Sequence, residues 1–165
     1  MEIGGGFGGL AYYCTREIRN LKYICINLPE NCALQAYFLM SHFPSKNIKL
    51  YDQSEWNDDF DVLILPSYGI QNIPDNSVNL SFNSYSLAEM GWPTINQYIS
   101  AICRVTTDFF YHLNHVHWEV SSDKFPVDLA KFQLLFRNPT NWGKDPIKYR
   151  VDQHEFLYIH RNSTI

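Results

Sequence analysis

The residues best suited to chemistry lie at the start of the chain, where a carboxylate precedes a run of glycines. Glu2 is followed by Gly4, Gly5, Gly6 and Gly8 and then by an apolar segment. Glycines at alternate positions allow a left-handed backbone and let a ligand approach the main chain with no Cβ in the way. The pattern predicts a strand, a tight turn and a helix that together hold a nucleotide-like ligand.

Two classes of ligand fit the spacing of this turn. Gly4, Gly6 and Gly9 have the G-x-G-x-x-G spacing of a dinucleotide site, so an NAD-type ligand is one alternative. Glu2 favours the other class, because a carboxylate there would repel a diphosphate. It would instead attract a cationic amine, such as that of S-adenosylmethionine (SAM). The sequence contains no Gly-Lys-Ser/Thr after the turn, which excludes a P-loop.

Composition indicates a globular protein without a strong electric field. The 165 residues are 45% hydrophobic and carry a formal net charge of -4, so no nucleic-acid partner is predicted. No apolar run approaches the roughly 20 residues of a membrane span, and no signal peptide is evident. The four cysteines form no C-x-x-C pair. We therefore expect reduced thiols, a cytoplasmic location and no zinc site.

Hydrophobic periodicity predicts an alternation of helices and strands. The predicted helices are 9–20, 30–42 and 93–107, and the predicted strands are 21–27, 61–66, 78–83 and 109–113. Two further apolar segments, 130–136 and 155–160, predict an antiparallel hairpin near the carboxyl end. This alternation favours an α/β fold with a mainly parallel sheet, whose ligands lie beyond the carboxyl ends of the strands.

Four segments resemble class I SAM-dependent methyltransferases, and most closely the bacterial sugar O-methyltransferase family. They are EIGGGFGGLA, INLPENCALQAYFL, VLILPSYGIQNIP and VNLSFNSYSLAEM, and the resemblance covers roughly residues 2–120. It implies a single methyltransferase domain over 1–165 with a Rossmann-like sandwich fold. It also implies SAM as the cofactor and a sugar or glycan hydroxyl, used in surface-polysaccharide biosynthesis, as the methyl acceptor.

The resemblance assigns cofactor contacts to the glycine turn with Glu2 and to residues that follow the predicted strands. Asn27 stands where the family has a carboxylate that binds both ribose hydroxyls, and Leu28 lies beside it. Pro66 and Ser67 match the place where the family holds the adenine. Asn83 ends the next strand, close to where the methylsulfonium is expected. As an amide, Asn27 lacks the charge that strengthens hydrogen bonds to hydroxyls.

Methylation of a hydroxyl is an in-line displacement at the methyl carbon, and a sugar hydroxyl needs a base because it is a weak acid. Candidate bases are Glu89, His112, His115 and His117, of which we select Glu89 and His115 as catalytic residues. Tyr85 and Asn114 are the predicted substrate contacts. His115 and His117 would share one face of an extended segment. Only Glu119 is a nearby carboxylate, so no metal is predicted.

The family generally has a long region before the glycine turn, and residues 1–3 leave only about 10 Å for the first strand. We therefore expect a truncated first strand and a domain that lacks its N-terminal region. Three functions stay open: a SAM-dependent O-methyltransferase that truncation could inactivate, an NAD-type oxidoreductase fragment, and a non-catalytic interaction module. The 16% aromatic residues and an uncovered strand edge favour self-association as a homodimer.

Overall fold

Two compact units make up the chain, Met1–Pro74 and Asp75–Ile165. The computed structural model describes residues 1–51, 59–116, 119–140, 144–145 and 150–164.

The first unit alternates strands with helices around a parallel sheet. Its elements are β1 (Glu2–Ile3), α1 (Gly9–Glu17), β2 (Tyr23–Asn27), α2 (Pro29–His42), β3 (Ile48–Leu50) and β4 (Val62–Pro66), followed by a 3-10 helix (Ser67–Asn72). Its strands lie in the order β3-β4-β2-β1, and each neighbouring pair is parallel. Every residue of β2 and β4 is buried, as expected for strands covered on both faces.

Helix α2 shows why this unit folds as the sequence predicts. It begins at Pro29, whose fixed φ suits the first helical turn. Its buried residues recur at the spacing of one helical face and are Cys32, Gln35, Ala36 and Leu39. Cys32, Ala36 and Leu39 belong to the same core cluster as residues of α1, β2 and β4. The stripe therefore carries one large polar side chain, Gln35, into the interior.

The second unit is a mixed sheet with one long helix. Its elements are β5 (Val78–Ser84), α3 (Trp92–Val105), β6 (Thr106–His115), β7 (Phe132–Pro139), β8 (Lys144–Asp145), β9 (Arg150–Val151) and β10 (Gln153–His160), with 3-10 helices at Leu87–Glu89 and Ser122–Lys124. The strand order is β5-β6-β10-β7. Strand β5 is parallel to β6, whereas β10 is antiparallel to both β6 and β7. Strands β8 and β9 form a separate antiparallel pair.

Helix α3 passes into strand β6 without a connecting loop. Val105 ends the helix and Thr106 begins the strand, and both are fully buried. Thr106 Oγ1 lies 2.6 Å from Ser81 Oγ of β5, which fixes the start of the strand. From there burial alternates along β6, so Asn114 is on the fully buried face and His115 is on the partly exposed one.

The predicted α/β alternation and the antiparallel C-terminal strands are confirmed. The first strand is short, with two residues that pair with Cys25 and Ile26. The helix predicted to reach residue 107 ends two residues earlier, because the β-branched Thr106 and Thr107 start the strand. None of the described helices is long and apolar enough to cross a membrane.

Candidate functional site

The glycine turn between β1 and α1 is wound in the left-handed region at every second residue. The φ angles are 77° at Gly4, 55° at Gly6 and 100° at Gly8. The Gly4 N–H donates to Ile26 O at 2.8 Å, and the Gly8 N–H donates to Gly5 O at 3.0 Å. Because side chains rarely adopt these angles, the alternate glycines are required by the backbone path.

The surroundings of Gly6 and Gly9 distinguish the two predicted ligand classes. A Cβ added at Gly6 would meet no atom within 4 Å, so space is open above the turn. At Gly9 the three nearest atoms to an added Cβ all belong to the Phe7 ring, at 3.1 Å or more. In a dinucleotide site the third glycine lets the helix pack against a strand. The atoms nearest to a side chain at Gly9 thus belong to Phe7 of the turn and not to a strand, which favours the E-x-G-x-G-x-G interpretation.

Glu2 lies directly beneath this turn. Its side chain is buried, and its Oε2 accepts a 2.8 Å hydrogen bond from the Tyr23 hydroxyl. A Cβ added at Gly5 would lie 2.7 Å from Glu2 Cδ, so position 5 has no room for a side chain. Burial raises the pKa of the Glu2 carboxyl, and the hydrogen bond from Tyr23 opposes that rise. A cation bound nearby would stabilise the charged form of this carboxylate.

Asn27, the predicted ribose contact, is hydrogen-bonded to the turn. Its Nδ2 donates to Gly6 O at 2.8 Å, and its Oδ1 accepts from the Leu28 N–H at 3.0 Å. The side chain is buried, whereas Leu28 is 52% exposed before the first turn of α2. A carboxylate could not make the bond to Gly6 because it has no N–H to donate. The amide thus joins the end of β2 to the glycine turn.

Replacing Asn27 with aspartate tests this link. The Asn27→Asp variant places a carboxylate against Gly6 O, and we expect it to lower the free energy of unfolding in urea by about 1–3 kcal/mol. Asn72→Asp adds the same charge at an exposed position of the same unit and should change stability by less than about 0.5 kcal/mol. Equal stability of Asn27→Asp and the parent would show that the amide does not hold the turn.

The predicted adenine contacts lie next to Asn27 in the first unit. Pro66 is paired with Asn27 at the carboxyl ends of the neighbouring strands β4 and β2. Ser67 is half-buried and begins the 3-10 helix that follows. Tyr68 is 61% exposed and its ring meets that of Tyr51 edge-on at 5.3 Å. The structure therefore brings the predicted ribose and adenine residues together at one edge of the sheet.

In the second unit, Asn83 and Asn114 form one buried network. Asn114 Nδ2 donates to Asn83 Oδ1 at 2.8 Å, and Asn83 Nδ2 donates to Ser86 Oγ. Asn114 Oδ1 accepts from the Ala88 N–H at 3.2 Å. Both side chains are fully buried. The predicted cofactor contact and substrate contact thus meet, and their amides hold the segment that follows β5.

A cavity of about 450 Å³ lies beside Tyr85 and is lined by Ser84, Tyr85, Leu113 and Gln153. Tyr85 has a φ of 64°, a strained conformation for a residue with a large side chain. Its hydroxyl donates to Gln153 Oε1 at 2.8 Å, and its ring is 5.7 Å from that of His115. The structure unites the predicted Tyr85 and His115 and adds Gln153, which the sequence analysis missed.

The other candidate bases lie in different surroundings. Glu89 is exposed at the end of its 3-10 helix and does not line this cavity. His112 is fully buried and stacks on Phe156 with ring centroids 4.6 Å apart. Burial lowers the pKa of His112 to about 3, which makes it a weak base. His117 lies outside the described residues. Among those that are described, no three acidic, His or Cys side chains form a metal site.

Comparison with known proteins supports the fold. No family model and no curated protein matches the chain. Among solved structures, a SAM-dependent methyltransferase from Aquifex aeolicus is similar with a TM-score of 0.59 and 15% identity, over 96% of this chain and 80% of that one. One from Mesorhizobium loti gives 0.61 and 10%, over 96% and 89%. The [4+2]-cyclase SpnF gives 0.66 and 13%, over 96% and 74%.

These likenesses establish the predicted fold class. The chain has the Rossmann-like α/β fold of class I methyltransferases, with antiparallel strands near its carboxyl end. Identities of 10–15% show the fold alone. The narrower likeness to sugar O-methyltransferases stays a prediction.

Proposed function

We propose that the chain binds SAM at the glycine turn and acts as a SAM-dependent methyltransferase. The observation that carries this proposal is the buried Glu2 carboxylate directly beneath a turn that is open above Gly6. SAM presents an ammonium group that this carboxylate would stabilise, and a bare main chain permits close approach. Asn27, Leu28, Pro66 and Ser67 are proposed as further cofactor contacts in the first unit, whereas a cofactor role for Asn83 stays a prediction from the sequence.

We also propose that a sugar hydroxyl is the methyl acceptor, in the biosynthesis of a surface polysaccharide. The cavity beside Tyr85 supports this idea, since its volume of about 450 Å³ suits a small ligand. Its lining combines an aromatic ring with the hydroxyl of Ser84 and the amide of Gln153, which are groups that bind sugar rings and their hydroxyls. His115, whose ring lies 5.7 Å from that of the cavity residue Tyr85, is the proposed base, and Glu89 stays a second candidate.

Two other functions are kept as alternatives. The NAD-type oxidoreductase fragment is supported by the spacing of Gly4, Gly6 and Gly9, although the surroundings of Gly9 weigh against it. The non-catalytic interaction module is supported by the amide at position 27. The [4+2]-cyclase among the similar structures has this fold, so the fold by itself does not determine the activity. A cytoplasmic location and self-association belong to the main proposal and rest on composition.

Titration calorimetry with S-adenosylhomocysteine and with NAD distinguishes these functions. Heat with S-adenosylhomocysteine and none with NAD is the expected result, because the carboxylate disfavours a diphosphate. The converse would support the oxidoreductase, and silence with both would support the interaction module. Transfer of an isotopically labelled methyl group from SAM to a panel of free and nucleotide-linked sugars tests the acceptor. Transfer to catechol but to no sugar would contradict the sugar proposal.

A further inference from the structure

Gln35 is a fully buried polar side chain whose amide has no hydrogen-bond partner. It lies in the core-facing stripe of α2, and neither its Nε2 nor its Oε1 finds a partner among the described residues. The amide points at the glycine turn. Its Nε2 is 3.2 Å from the place where a Cβ on Gly5 would lie, and 3.4 Å from the corresponding place on Gly8.

An unpaired buried amide destabilises a folded protein, because its donor and acceptor have both lost water. A methionine at this position would have the same length, would fill the same stripe and would leave no polar atom unpaired. Core packing therefore does not explain why the residue is glutamine. The amide borders the main chain of the turn at Gly5 and Gly8, and the Glu2 carboxyl lies at the same Gly5 position.

We propose that Gln35 is a positioning residue for the glycine turn, and that its amide bonds to the turn's main chain when a ligand occupies the turn. This inference rests on the proposed binding of SAM. In the free protein Gly5 O accepts from the Gly8 N–H, and Gly6 O accepts from Asn27. The left-handed glycines allow the turn to shift as it accommodates the ligand. Gln35 can then donate through Nε2 to a carbonyl and accept through Oε1 from an N–H.

Hydrogen bonds that the Gln35 amide makes with the turn only when ligand is present would favour the ligand-bound protein over the free protein. The amide is unpaired without ligand and paired with it, so its hydrogen bonds contribute to affinity and not to the stability of the empty protein. A residue with a purely structural role behaves differently, since removing it weakens folding and binding together. Stability and affinity should therefore change in opposite directions when the amide is removed.

The Gln35→Met variant of the full chain tests this inference. We expect its dissociation constant for S-adenosylhomocysteine to rise about tenfold, which corresponds to the loss of about one good hydrogen bond. Without ligand, its urea midpoint should rise. Hydrogen exchange of the Gly5–Gly8 amides should slow on adding S-adenosylhomocysteine to the parent, and should slow less in the variant.

Thr15→Val is the matched control. Thr15 Oγ1 is also buried and has no hydrogen-bond partner among the described residues, but it lies near the end of α1. Its removal should raise the urea midpoint and leave affinity within twofold of the parent. The inference on Gln35 is overturned if the parent binds S-adenosylhomocysteine and Gln35→Met binds it equally well. It is also overturned if Gln35→Met loses stability together with affinity. In both cases the proposed function stands. A parent that does not bind S-adenosylhomocysteine overturns the proposed function as well.

Discussion

Valine in place of Gly6 is expected to weaken the binding of S-adenosylhomocysteine at least about 100-fold, or about 2.7 kcal/mol. The space above Gly6 is open in the free protein, and a branched side chain would occupy it. Calorimetry on the Gly6→Val variant measures the change. The substitution also strains the backbone, because a β-branched residue disfavours a φ of 55° by about 1–2 kcal/mol or more.

Asn20→Val separates the two effects. Asn20 has a φ of 57°, is exposed and belongs to the same unit, so valine there should bring a similar strain and a similar loss of stability. It leaves the space above the turn free, and affinity should stay near that of the parent. If Gly6→Val binds as well as Asn20→Val, the ligand does not lie over the turn.

Acid should destabilise the second unit through His112. The pKa of this imidazole is about 3 in the folded protein because of burial, against 6.5 in the unfolded chain. Between these two values the unfolded chain binds the additional proton, so stability is lost as the pH falls below 6.5. The loss is about 1.4 kcal/mol per pH unit, or about 2 kcal/mol at about pH 5. His112→Phe and His112→Leu should remove this part of the pH dependence.

The free energy of unfolding in urea is measured for the parent and for each variant at about pH 7.5 and about pH 5. The contribution of His112 is the loss of stability in the parent minus the loss in the variant. Two replacements are used because phenylalanine is larger than histidine in a fully buried position, whereas leucine is not aromatic. Ile102→Val, at a fully buried position of α3 in the same unit that carries no titratable group, is the control and should lose as much stability in acid as the parent. If the His112 variants also lose as much stability in acid as the parent, the imidazole of His112 is not held neutral in the folded protein.

Much of the fold could be predicted because its signals are local. Pro29 marks the start of α2, and the apolar run 62–66 marks β4. The glycines of the turn have the spacing that the left-handed backbone requires. Gln35 could have been found in the same way, because it falls in register with Cys32 and Leu39 on a stripe that is otherwise apolar.

The rest of the candidate site depends on contacts between distant residues. The sequence predicts Asn27 as a ribose contact, but it does not predict the bond of the Asn27 amide to Gly6, 21 residues away. Gln153 meets Tyr85 across 68 residues, through the pairing of β10 with β6. No local pattern encodes either contact, because both follow from how the strands are arranged and which way each side chain turns.

The direct passage from α3 into β6 limits how this protein can change in length. A single residue inserted between Val105 and Thr106 could not be absorbed in a loop, since both neighbours are buried. It would shift the strand by one position and exchange its two faces. Asn114 would then lose its hydrogen bond to Asn83, and the His115 side chain would lie on the buried face of the strand. Insertions and affinity tags belong elsewhere, and natural variants of this joint should differ by substitution and not by length.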